Sequence, residues 1–154
     1  MRTRLFALVL LSLAATAAHA QDWANPLVIG TNPYVDYRDD CPYPPRQLVI
    51  EYGAAVINSP AVIYRVSQRS IGRGAPSPWH LTLTPYTYTD FSLFVCKSHN
   101  GDQVWDCVDA QDNWGAVPEH ATVPGIFGVY WVIVAGNVGN VPPSCGTYAL
   151  NATH

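Results

Sequence analysis

From Leu48 onward the chain runs in short stretches that alternate apolar and polar positions and end at glycine or proline. In Ala61–Ser67, Val62, Tyr64 and Val66 share one face, while Ile63, Arg65 and Ser67 share the other. In Trp79–Thr84, Trp79, Leu81 and Leu83 point one way and His80, Thr82 and Thr84 the other. A period of two with one polar face marks a half-buried strand. Phe91–Cys96 repeats the pattern with Phe91, Leu93 and Val95 together. Gly128–Ala135 is apolar on both faces, which predicts a central strand. Leu27–Ile29, Leu48–Ile50, Val104–Val108, His120–Val123 and Gly146–Asn151 bring the total to about eight or nine strands, with Tyr148 and Leu150 facing inward. No window sustains the three-and-four spacing of an amphipathic helix. Turn signals separate the strands at His99–Asp102, Gln111–Gly115, Pro124-Gly125, the Gly72–Pro78 stretch and residues 136–143. Residues 31–46, with Pro33, the Asp36–Asp40 stretch and Pro42, Pro44 and Pro45, read as a loop on the edge of the fold. The pattern predicts an all-β sandwich or barrel in one domain.

The first twenty residues follow a different rule. Arg2 and Arg4 precede an apolar run from Leu5 to Leu13, small residues follow, and Ala18-His19-Ala20 fits a signal-peptidase site. The run is shorter than the ~20 residues that span a bilayer. We therefore expect a signal peptide over 1–20, cleavage before Gln21, and a single domain over 21–154, placed in the periplasm or secreted. Charged residues make up 12% of the chain and aromatic ones another 12%, with thirteen prolines and eleven glycines. Low charge with many aromatics argues for an ordered, turn-rich β domain and against disorder. The formal net charge is −3 and the lysines and arginines are scattered. That argues against nucleic-acid binding and against a polybasic membrane contact.

Four cysteines follow the leader: Cys41, Cys96, Cys107 and Cys145. An even count behind an export signal reads as two disulfides. Cys96 and Cys107 flank a Gly-Asp turn, which favours pairing them and leaves Cys41 with Cys145. Zinc, the competing use of cysteine, calls for tight CxxC or HxxxH pairs that the chain lacks.

Residues 59–151 resemble the bacterial pre-peptidase C-terminal (PPC) domain family. The likeness runs in order through Ser59–Val66, Leu81–Leu83, Thr89–Cys96, Cys107–Asp112, Pro124-Gly125 with Gly128–Gly136, and Cys145–Leu150. The fourth of these resembles the family's cysteine and acidic segment. The fifth resembles its Gly-x-Tyr-x-Val-x-Val-x-Gly strand, and the last its closing Gly-x-Tyr-x-Leu. The resemblance implies a jelly-roll-like β-sandwich, secreted, and normally appended to extracellular peptidases. Here a signal and no catalytic domain stands before it, so a stand-alone copy is expected.

Candidate chemistry is sparse. His80, His99, His120 and His154 read as solvated surface histidines. No serine sits in a GxSxG-like elbow, and no carboxylate pair has a recognisable spacing, so no enzyme is expected. Loop aspartates suit calcium, which some members of the resembled family bind. Asp90, Asp109 and Asp112 are the candidates, against the simpler reading that loop aspartates cap turns. Trp23, Tyr34, Tyr37, Tyr43, Tyr86, Tyr88, Trp105 and Trp114 fall in segments that look like loops. Of these, Tyr37, Tyr86, Tyr88, Trp105 and Trp114 are the candidate ligand contacts, since exposed aromatics make platforms for sugars or proteins. The expected function is a non-catalytic exported binding or accessory module for an extracellular protein, peptide or polysaccharide. The alternatives are an exported inhibitor of a hydrolase, presenting the proline-rich 42–45 or 72–78 loops, and a small hydrolase with an unrecognised site.

Overall fold

Eleven strands form among the described residues where the periodicity points to about eight or nine. They are β1 (Leu27–Ile29), β2 (Tyr34–Asp39), β3 (Arg46–Ile50), β4 (Ala55–Ser59), β5 (Ala61–Gln68) and β6 (Trp79–Pro85), then β7 (Phe91–Asn100), β8 (Gln103–Gln111), β9 (Glu119–Val123), β10 (Gly128–Gly136) and β11 (Thr147–Thr153). A single 3-10 turn, Tyr52–Ala54, joins β3 to β4. The structure is a computed structural model that describes residues 22–69, 74–136 and 145–154. The signal-like leader and the loop readings at 70–73 and 137–143 lie outside the described residues.

The strands make two sheets. Seven run in the order β1-β5-β10-β7-β8-β3-β4 and four in the order β2-β11-β6-β9. Alternation decides what each strand buries. Val62, Tyr64 and Val66 of β5, Phe91, Leu93 and Val95 of β7, and Tyr130, Val132 and Val134 of β10 face the second sheet. Trp79, Leu81 and Leu83 of β6 and Tyr148, Leu150 and Ala152 of β11 answer them. The faces expected for these segments are the faces found.

β10 is buried on both sides, as its unbroken apolar run predicts. It pairs with β5 and with β7, and Ile133 and Ala135 enter a second core on the outer face of the larger sheet. Leu48 and Ile50 of β3 and Ile57 of β4 close that core. Topology explains how. β4 is the far edge of the seven-stranded sheet, yet Pro60 alone separates it in sequence from β5 near the other edge. The sheet must curl so that β4 returns over its own centre, and Ser59 Oγ there donates to the Gly136 carbonyl at 2.7 Å.

One expectation is corrected. Residues 31–46 are not all loop, because Tyr34–Asp39 is strand β2, paired antiparallel with β11. Its inward side is polar. Asp36 binds Arg38 in an ion pair at 2.7 Å and accepts the Tyr64 hydroxyl at 2.9 Å. The Tyr64 and Tyr148 hydroxyls share a further 2.9 Å hydrogen bond. Burial pushes both phenols up, so both stay protonated. Tyr148→Phe removes one end of this buried chain. The expected cost is about 1 to 2 kcal/mol, read as a lowered urea midpoint at unchanged slope.

Candidate functional site

Residues 86–90, between β6 and β7, are tied down on both sides. On one side Tyr86 N donates to the Thr147 carbonyl at 2.8 Å, and Thr89 Oγ1 donates to the Cys145 carbonyl at 2.6 Å. On the other, the Gly115 amide donates to the Asp90 carboxylate. Gly146 leaves no room for a side chain, because a Cβ there would collide with the hydroxyls of Thr87 and Thr89. Hydrogen bonds thus join three segments at one end of the sandwich: the β6–β7 loop, the start of β11 and the β8–β9 turn.

That end carries the most exposed aromatics. Tyr88 and Trp114 are 102% and 87% exposed, and Tyr37 and Tyr86 are 72% and 60%. A ring left this open contributes nothing to the core. Tyr37 stands on β2 opposite Ala149, and its ring stacks on Tyr86 with centroids 6.2 Å apart and planes at 19°. The sequence placed Tyr37 in a loop; it is instead fixed by a strand. Trp105 does not join them. It lies half-buried on β8 opposite Ser98, near the β7–β8 turn at the other end. Trp23 is also taken up in packing, stacked on His99 at 4.1 Å and set edge-on to Trp131 at 5.6 Å. His99 is therefore not a solvated turn histidine but part of a half-buried aromatic cluster. His80, His120 and His154 are exposed.

The carboxylates divide differently from the expected set. Asp109 is spent on backbone: Oδ1 accepts the Ala110 amide at 2.9 Å and Oδ2 the Thr122 amide at 2.7 Å, which pins β8 to β9. Asp90 and Asp112 do come together, joined by Glu119, which no sequence motif marks. Desolvation raises Asp90, and the charge of Asp112 raises it further. Glu119 is pushed up to about 7, chiefly by burial, with Asp112 and Asp90 adding to the effect. Its two oxygens accept the Asn113 amide at 3.0 Å and the Asn113 side chain at 2.9 Å. Asp112 Oδ1 accepts Ser92 Oγ at 2.9 Å. Calcium takes six to eight oxygens. One buried Asp90 oxygen has no hydrogen-bond partner among the described residues. Asp90, Asp109 and Asp112 are not gathered into one group of ligand atoms among the described residues.

Both disulfides pair as the spacing favoured, Cys41 with Cys145 and Cys96 with Cys107, and no cysteine is free. The close group Asp40, Cys41 and Cys145 is thus a disulfide beside a carboxylate, with no thiolate to hold a metal. No helix among the described residues is long and apolar enough to cross a membrane. Two open clefts, of about 300 and 390 Å³, are lined around Trp79 and His154 and around Tyr52 and Phe94. Neither includes Tyr37, Tyr86, Tyr88 or Trp114. What the aromatic end offers is an open platform of rings on a braced support. No protein-family model matches the chain, and no curated protein matches it.

Proposed function

We propose that the protein is a non-catalytic exported binding module whose ligand surface is the end bearing Tyr37, Tyr86, Tyr88 and Trp114. The observation that carries this reading is the Tyr37–Tyr86 stack. Two open rings are held nearly parallel by a strand and a tied loop, at no benefit to the core. Prefixed rings lose little freedom on binding, so their contact area converts well to affinity. The resemblance to the PPC family, whose members accompany secreted enzymes, supports the same class of role. Export is supported by the leader pattern and by two disulfides, which persist in oxidising compartments.

The test is retention of the purified domain on insoluble polysaccharides, collagen and extracellular proteins, with Tyr37→Ala and Tyr86→Ala beside the parent. Each substitution is expected to weaken retention by about 5- to 30-fold, as truncation of an aromatic anchor does. Both variants should keep the parent's unfolding midpoint, because neither ring is in the core. Retention by both at the parent's level sinks the proposed site.

A further inference from the structure

We propose that the ligand of this module is a neutral polysaccharide, laid across the outer face of the four-stranded sheet and anchored at one end by the Tyr37–Tyr86 stack. The inference rests on the binding-module reading above and adds the extent of the site and the class of ligand.

The outward side chains follow from the inward ones. Leu81, Leu83, Leu150 and Ala152 are core, so their neighbours along each strand face away from it. Cross-strand pairing then sets these neighbours in rows. Val35, Asn151, Thr82 and His120 form one row across all four strands. Tyr37, Ala149 and Thr84 form the next, on the side of the aromatic end. Thr153, His80 and Thr122 form the row on the other side. The larger sheet covers its own outer face with β3 and β4. No further strand lies over this face among the described residues: Val35, Tyr37, His80, His120 and Thr153 are exposed, Asn151, Thr82, Thr84 and Thr122 are half-buried, and Ala149 is buried between its neighbours.

Charge decides the class of ligand. The rows contain no lysine, arginine, aspartate or glutamate; Asp39 stands at the corner past Tyr37, opposite Thr147. A solvent-facing sheet, and its edge strands above all, normally carries lysine or other charges that also block pairing with another chain. Here the outward positions of edge strand β9 are His120 and Thr122. Such a face offers no counter-charge to a polyanion or a polycation, and it matches an uncharged polymer in charge. Threonine hydroxyls and the Asn151 amide both donate and accept hydrogen bonds, as sugar hydroxyls do. Adjacent strands repeat these groups about every 4.8 Å across the sheet. Stacked tyrosines at the end of the array suit the apolar faces of sugar rings.

The experiment measures adsorption of the intact disulfide-bonded protein to cellulose, chitin and mannan, beside polygalacturonate, chitosan and collagen. Thr82→Lys places a charge in the middle row. Thr122→Lys does the same on the edge strand, where lysine is a common residue, and unfolding midpoints check both. The expected result is adsorption to a neutral polymer that Thr82→Lys and Thr122→Lys each weaken by about tenfold or more, about 1.4 kcal/mol. Three results overturn the inference. Retention on collagen or on a charged polymer alone, lost with Tyr37→Ala, leaves the binding module standing and removes the polysaccharide. Adsorption to a neutral polymer that both lysine variants leave unchanged removes the sheet face from the site. Retention on none of the six removes this inference and the binding-module reading together.

Discussion

Replacing Cys41 and Cys145 together by alanine lowers stability by about 4 to 5 kcal/mol and the thermal midpoint by on the order of 15 °C. The bond joins residues 104 apart, so it removes much of the freedom of the unfolded chain. It also fastens the end of β2 to the start of β11. Beside it Gly146 N donates to Asp40 Oδ1 at 2.6 Å, and Asp40 N donates to the Gly146 carbonyl at 3.1 Å. Cys96–Cys107 spans only 11 residues, between strands that are already neighbours. Its removal is expected to cost less, about 3 kcal/mol. Urea unfolding of the two double-alanine variants, read at equilibrium, gives the order directly. A larger loss from the short loop contradicts the account.

The second large effect is a fall in stability as pH rises from about 4 to about 7. Asp40 is fully buried, and burial pushes its carboxyl up to about 7 from 3.8; the Gly146 amide opposes the rise, and the nearby Asp39 charge adds to it. Glu119 is raised to about 7 from 4.5. Between those values the folded protein holds a proton that the unfolded chain has released. Protonation therefore favours folding below about 4, and the advantage is lost as pH climbs through the folded value. A tenfold difference in proton affinity between the folded and unfolded chains is worth about 1.4 kcal/mol, so the rise from 3.8 to about 7 makes Asp40 alone account for about 4 kcal/mol between about pH 4 and about pH 7. Asp40→Asn keeps an oxygen for the Gly146 amide and removes the titration. Its thermal midpoint should vary less with pH than the parent's over this window. An equally steep fall in the variant would assign the slope to other groups.

Much of the fold was legible because its strands bury one face and the alternation shows it: β5, β6, β7 and β11 put the expected residues into the core. β2 was not legible. Its inward positions are Tyr34, Asp36 and Arg38 and its outward ones include Val35 and Tyr37, so apolarity does not mark the buried side. The carboxylate–guanidinium pair and the Tyr64 hydroxyl that satisfy those polar groups come from long-range packing. β4 escaped notice because it is short and covers a face that exists only once the sheet curls. Both cysteine pairs followed from the Gly-Asp turn between Cys96 and Cys107.

The site was legible in its residue types and less so in its grouping. Aromatics between strands flagged Tyr86, Tyr88 and Trp114, and all three are open at the same end. Trp105 was singled out with them although it lies inside the expected Val104–Val108 strand, and β8 holds it at the other end opposite Ser98. Glu119 gave no signal, lying at the head of a short apolar strand. The threonine rows lie on strands whose polar faces were read as solvent-facing and nothing more. Only the pairing register shows that they form one uncharged surface.

Oxidative footprinting of the protein adsorbed on the polymer that retains it decides whether the aromatic end is the ligand surface. Protection of Tyr37 and Tyr86 relative to the free protein is the expected result. None is expected at Ile126 and Phe127, exposed apolar residues in the β9–β10 turn beside the far end of β5. Protection at Ile126 and Phe127, with Tyr37 and Tyr86 as reactive as before, would place the ligand at the other end of the molecule and contradict the binding surface proposed for it.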